Sequence, residues 1–339
     1  MKYSKLTYYL LAVLCITAMS CVTEGVMDDY PNFNGNQAII KDAHVNFMLT
    51  FPSNVSTRGT TNDLDNERKI NDVHVYTFQN DRFVEEIEYV VIDGKDGDIS
   101  RNIDGKLSGE YISGTVMEFV VIINVEKKGI NNITLTKGNN KETLYKQLLF
   151  DFNKNDDWSE YIPMWGVGTI QNIKEGINQG NLTLKRAIAK VNVTVNDGQG
   201  IKDFEITEIQ LHNYNTQGYC APINNNGPSI PTTSSISNDF LTSGKLSGTE
   251  GNRFENKFYI PEHKNINEEG KVYLIVKAMV KGTERDYNIA FSKNDADYNV
   301  LRNYIYVFNI TSVKMDIDFT LEYEVKKWDE ETIDIPSFD

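Results

Sequence analysis

The sequence predicts an all-β protein of two antiparallel β-sandwiches in tandem, with at most one or two short helices. Three observations carry this expectation. Apolar and polar residues alternate with period two in segment after segment. A stretch rich in Gly, Asn and Gln, QNIKEGINQGN at 171–181, divides the strand-bearing chain into two parts. Only one segment, KETLYKQLLFDF at 141–152, has a helical period, with Leu144, Leu148 and Phe152 on one face and Asn140 as N-cap.

The elements follow in order. In AHVNFMLTF, Val45, Phe47, Leu49 and Phe51 share a face, while His44, Asn46 and Thr50 point the other way. Val73–Phe78 and Phe83–Ile92 read as two strands around a turn at Asn80-Asp81. TVMEFVVIINV at 115–125 is a continuous apolar run suited to a central buried strand. YIPMWGVGTI at 161–170 is strand-like as well. Beyond 171–181, strands are expected at 182–195, 203–212, 257–260, 271–281, 285–291, 304–313 and 317–328. In the last, Ile317, Phe319, Leu321, Tyr323 and Val325 alternate with polar residues. Residues 221–252, dominated by Pro, Asn, Ser, Thr and Gly, read as a long surface excursion.

The N-terminus specifies export. Lys2 and Lys5 precede an apolar run from Leu6 to Ala18, which is too short for a mature transmembrane helix and reads as a secretory signal. Ala18-Met19-Ser20-Cys21 resembles a lipobox, in which Cys21 is acylated and becomes the new N-terminus. Cys15 is discarded with the signal, so Cys220 is left alone in the body of the protein and an internal disulfide is excluded.

Composition argues against most chemistry. The net charge of −14 disfavours a nucleic-acid partner. Nucleotide-binding, serine-hydrolase and zinc-protease motifs are absent, and no catalytic residue or metal ligand is assigned. Cys220 follows His212 by eight residues, which alone makes no nucleophilic pair, and a buried structural thiol is expected. The acidic loops at 93–98 and 153–157 depart from the calcium-loop pattern and are expected as solvated loops. His44, His74, His212 and His263 are scattered and read as sheet residues.

Four segments together resemble the FimA/Mfa1-type fimbrillins, the lipoprotein-precursor pilins of the Bacteroidales type V pilus. They are the lipobox at Cys21, FMLTFPSNVSTRG followed by VHVYTF, LTLKRAIAKVNVTV at 182–195, and NVLRNYIYVFNITSV at 299–313 with its tail VKKWDEETIDIPSFD. The resemblance implies two transthyretin-like sandwiches. It divides the chain into a signal peptide (1–20), a propeptide with a removable first strand (21–58), an N-terminal domain (59–180) and a C-terminal domain (181–339). It also implies a mechanism. An Arg-specific protease cuts Arg58-Gly59, with Arg68 as the alternative point. The strand carrying Val45, Phe47, Leu49 and Phe51 departs, and a strand from the next subunit fills the groove. Here the donor segment contains Trp328, Ile333 and Ile335.

Vacating that groove would cost on the order of 6–12 kcal/mol, at about 1.5–3 kcal/mol per buried side chain. That is comparable with the ~5–15 kcal/mol stability of a domain. The implied partners are other fimbrial subunits, in a homo- or hetero-polymer, the protease, and the outer membrane through the lipid anchor before processing. No cofactor is implied. The competing reading is a glycan-binding surface lipoprotein, whose aromatic platform would lie in DDWSEYIPMW at 156–165.

Overall fold

Alternation decides which strand faces meet, and backbone pairing decides which strands lie side by side. The computed structural model describes residues 38–52, 64–224, 226–293, 296–313 and 319–327. The first half contributes β1 (Ala43–Thr50), β2 (Val73–Gln79), β3 (Arg82–Glu86), β4 (Val91–Ile92), β5 (Ser100–Lys106) and β6 (Met117–Ile123). Helix α1 (Lys141–Gln147), β7 (Leu149–Asp151), β8 (Met164–Ile170), β9 (Gly176–Thr183) and β10 (Lys185–Arg186) complete it. A five-stranded sheet runs β10-β8-β6-β2-β3, and a four-stranded sheet runs β9-β1-β5-β4. The two sheets face each other, with the ring of Phe47 from β1 lying 4.8 Å, centroid to centroid, from that of Phe119 on β6.

The second half contributes β11 (Ala189–Val195), β12 (Phe204–His212), β13 (Gln217–Tyr219), β14 (Phe240–Thr242) and β15 (Arg253–Ile260). It continues with β16 (Tyr273–Val280), β17 (Thr283–Ala290), β18 (Tyr304–Val313) and β19 (Phe319–Lys327). Its sheets run β15-β11-β18-β19 and β14-β12-β16-β17. Phe291, just beyond β17, packs against Phe308 of β18 at 5.0 Å. The fold is therefore all-β, as the alternation predicts. Pairing in these four sheets is antiparallel except at β1 with β9 and β11 with β18.

Several elements stand where periodicity puts them. β6 is the middle strand of its sheet, and Phe119 to Ile123 are fully buried. The β2–β3 hairpin turns at Asn80 and Asp81, both with positive φ (50° and 62°), as a two-residue primed turn requires. The Asn140 side chain accepts the Thr143 N–H, capping α1.

Four elements differ from expectation. Phe83–Ile92 divides into β3, which pairs with β2, and β4, which pairs with β5 in the other sheet. Residues 182–195 divide among the end of β9, β10 and β11, which lie in three sheets. The helix stops at Gln147 rather than reaching Phe152, because Leu149–Asp151 pairs in antiparallel register with Gln217–Tyr219 of the second half. A ladder bond to a distant strand outweighs the helical period there. Residues 171–181, expected as a linker, instead supply most of β9. Polar side chains do not prevent pairing, because the backbone supplies the ladder and Asn178 Nδ2 adds a bond to the His44 carbonyl (3.1 Å). The excursion at 221–252 is mostly irregular but returns as β14 on the edge of its sheet.

On β2, His74 faces three carboxylates: Glu86 (3.0 Å), Glu126 (3.5 Å) and Asp72 (3.8 Å). The bond to Glu86 above all holds its pKa above the ordinary 6.5, against the opposing effect of burial. A raised folded-state pKa stabilises fully below the unfolded value and is lost as pH rises through the folded value. His74→Gln should therefore lower the melting temperature at pH 5.5 and leave it nearly unchanged at pH 8.5. Equal losses at both pH values would refute the ionic contribution.

Candidate functional site

The candidate site is the slot that β1 fills. Ala43, Val45, Phe47, Leu49 and Phe51 are all buried, whereas Met48 on the opposite face is 44% exposed. The strand lies inside its sheet. It pairs in parallel with β9, from Ala43 opposite Gly176 to Thr50 opposite Thr183, and antiparallel with β5, from His44 opposite Lys106 to Thr50 opposite Ser100. Bonds at both ends extend the ladders: Gly176 N–H donates to the Asp42 carbonyl (2.8 Å) and Leu184 N–H to that of Thr50 (2.9 Å). Without β1, the slot would present two unpaired strand edges beside an apolar floor, a geometry that only another extended chain satisfies.

The chain leaves the slot at Pro52, and the next described residue is Leu64. Arg58 and Gly59 lie outside the described residues, as do Cys21, Trp328, Ile333 and Ile335. The two flanks of 53–63 converge on one side chain. The Arg186 guanidinium, fully buried, donates through Nη1 to the Pro52 carbonyl (3.0 Å), while its Nη2 stands 3.9 Å from the Glu67 carboxylate. Glu67 sits in a single 3-10 turn, Asp65–Arg68, and is itself fully buried. Its carboxylate accepts two bonds from Lys190 Nζ (2.8 and 3.1 Å) and one from the Tyr259 hydroxyl. Burial above all, together with the Glu67 charge, pushes the Tyr259 pKa far up, so this phenol stays protonated and donates its proton to the carboxylate. Arg68, the alternative cleavage point, is 8% exposed and its Nε donates to the Gly97 carbonyl (2.7 Å).

Sequence reasoning missed this cluster. Lys190, Asn192 and Thr194 fall on the polar side of the β11 alternation, which predicts exposure, yet all three are buried. The signal was present in KRAIAK, where Arg186 and Lys190 bracket the apolar Ala187-Ile188-Ala189. The segment RNYIY also becomes intelligible. Arg302 binds Glu262 (2.6 Å) and the carbonyls of Tyr219 and Cys220 (2.9 Å each), Asn303 accepts the Arg186 N–H, and Tyr306 accepts that of Leu301. The Asn303 bond ties the second half to β10 of the first, and the bonds of Arg302 and Tyr306 satisfy main-chain groups within the second half.

Elsewhere the chemistry is structural. Cys220 is buried, and burial pushes its thiol up to about 12. His212 bonds Gln210 and stacks on Tyr273 rather than facing the thiol. His263 bonds the Gly270 carbonyl. In the acidic loop 93–98, Arg101 binds Asp96 (2.9 Å) and the Asp93 carbonyl (3.1 Å). In the expected aromatic platform, Trp158 is 4% exposed and stacks on Phe152, so its ring belongs to the core.

The buried pair allows a direct test. Lys190→Met should destabilise by about 3–5 kcal/mol, because it removes the directly bonded cation of the buried Glu67 and leaves only the more distant Arg186. Adding Glu67→Gln should recover part of that loss, since a neutral amide still accepts from Tyr259. Urea unfolding measures both, and a double variant no more stable than the single would show that the pair is not the unit.

No curated protein sequence matches this chain. Solved structures do. The tip fimbrial protein Mfa3 of Porphyromonas gingivalis, with a C-terminal truncation, is similar at 15% identity and TM-score 0.54, over 85% of this chain and 100% of its own. A fimbrial assembly protein from Parabacteroides distasonis gives 13% and 0.52, over 85% and 100%. The fimbrillin FimA of Porphyromonas gingivalis gives 15% and 0.51, over 86% and 99%. At these identities the likeness is one of fold. The model of the family described as fimbrillin-A associated anchor proteins Mfa1 and Mfa2 matches residues 39–334, and the chain belongs to that family.

Proposed function

We propose that this chain is a structural subunit of a cell-surface fimbria, matured by an Arg-specific protease and assembled by strand exchange in the service of adhesion. On this reading it is exported as an outer-membrane lipoprotein acylated at Cys21, and the cut falls at Arg58-Gly59. The observation that carries the proposal is β1. It is interior to its sheet, buried on one face, and followed directly by a polar segment whose flanks both reach Arg186. Family membership supports the fimbrial role. The burial of Arg68 favours Arg58 over the alternative cut. A stalk position is preferred over a tip, because the chain has both a removable first strand and an apolar candidate donor in Trp328, Ile333 and Ile335.

Intact-mass measurement of surface-purified protein, with and without an Arg-specific protease, tests the reading. Processed material should begin at Gly59, and Arg58→Ala should abolish that product while leaving the fold intact. Retention of an acylated Cys21 in all surface material would instead identify an anchored subunit and overturn the stalk role.

A further inference from the structure

The floor of the slot is not uniform. Opposite Phe47 in the parallel register stands Gly180 of β9, and a Cβ there would lie 2.4 Å from the Phe47 ring. Gly168, on β8 of the facing sheet, presses on the same ring, with a Cβ position 3.0 Å from it. Phe119 completes the enclosure at 4.8 Å. Neither glycine has a left-handed φ, so backbone conformation does not demand either one. Glycine inside a strand weakens it and leaves nothing to pack, unless the missing side chain is space that another group fills. Two glycines from two sheets therefore make a socket of aromatic size at one register position.

We infer that this socket selects the strand that replaces β1, admitting a chain of another subunit with an aromatic side chain at the Phe47 position. The inference rests on the strand-exchange reading. The resident pattern is Ala43, Val45, Phe47, Leu49 and Phe51, an aromatic flanked two residues away on each side by apolar residues. Residues 328–339 offer no such match: Glu331, Ile333, Ile335 and Ser337 form one alternating series, and in the other, Trp328, Glu330, Thr332, Asp334, Pro336 and Phe338, Trp328 is flanked by Lys326 and Glu330 while Phe338 follows Pro336, which has no N–H to give a ladder. Phe319 and Tyr323 do have apolar flanks, but both already pair within β19, opposite Val313 and Phe308. The tail of this chain thus suits a differently shaped groove, and a neighbour of a second kind supplies the aromatic.

The test uses the full chain cut with an Arg-specific protease and held in sub-denaturing urea with excess labelled peptide. The peptides are residues 41–52, the same sequence with Phe47→Ile, and residues 325–339. Release from the complex is followed after gel filtration. The native peptide should leave about tenfold more slowly than either of the others. In Gly180→Ala that preference should disappear, and if this variant does not fold, the peptide series on the unmodified chain decides alone. Uptake of all peptides with equal release overturns the socket while strand exchange stands. Release of 325–339 as slow as the native peptide overturns the requirement for a second kind of subunit. Failure to take up any peptide overturns strand exchange itself, and the inference with it.

Discussion

Main-chain pairing of Ala43–Thr50 to neighbours on both sides is the constraint on which the first half depends. β9 and β5 both pair with β1, one on each side, so a single segment near the N-terminus bridges the four-stranded sheet. The same segment supplies the aromatic that joins this sheet to the five-stranded one. Backbone bonds and apolar burial are concentrated in eight residues, and their loss would be felt as one event.

The second half repeats the arrangement with a different outcome. β11 is also the first strand of its half, lies inside its sheet, and has a parallel neighbour in β18. It is buried on both faces, and its polar face holds Lys190 against Glu67. A strand so enclosed is a fixture. β1 keeps one face toward solvent, and its exit at Pro52 is held through a main-chain carbonyl, a group that any replacement strand also possesses. The contrast between the two strands is what makes β1 the candidate for exchange.

Much of this was legible in the sequence. Period-two alternation located β1 and its buried set, a continuous apolar run the central strand, and the Asn80-Asp81 turn the β2–β3 hairpin, because those features depend on neighbouring residues alone. Three others were not legible, for one physical reason: each is decided by a partner far away in the chain. Residues 149–151 leave the helix to pair with 217–219. The polar segment at 171–181 becomes a strand because β1 needs a neighbour. Lys190 is buried because Glu67, over a hundred residues earlier, meets it. Gly180 is a further case, since its lack of a side chain has meaning only beside Phe47.

The position of residues 53–63 between two held flanks separates cutting from release. A break within them removes no ladder bond of β1 and no contact of Phe47 or Leu49. The cut molecule is then a complex of two chains, intact in its fold, whose pieces no longer share the high effective concentration that a covalent link provides. On the proposed reading, its lifetime would be set by how slowly an interior strand unzips, and a nicked subunit could be stored, carried and presented before it becomes competent to join anything.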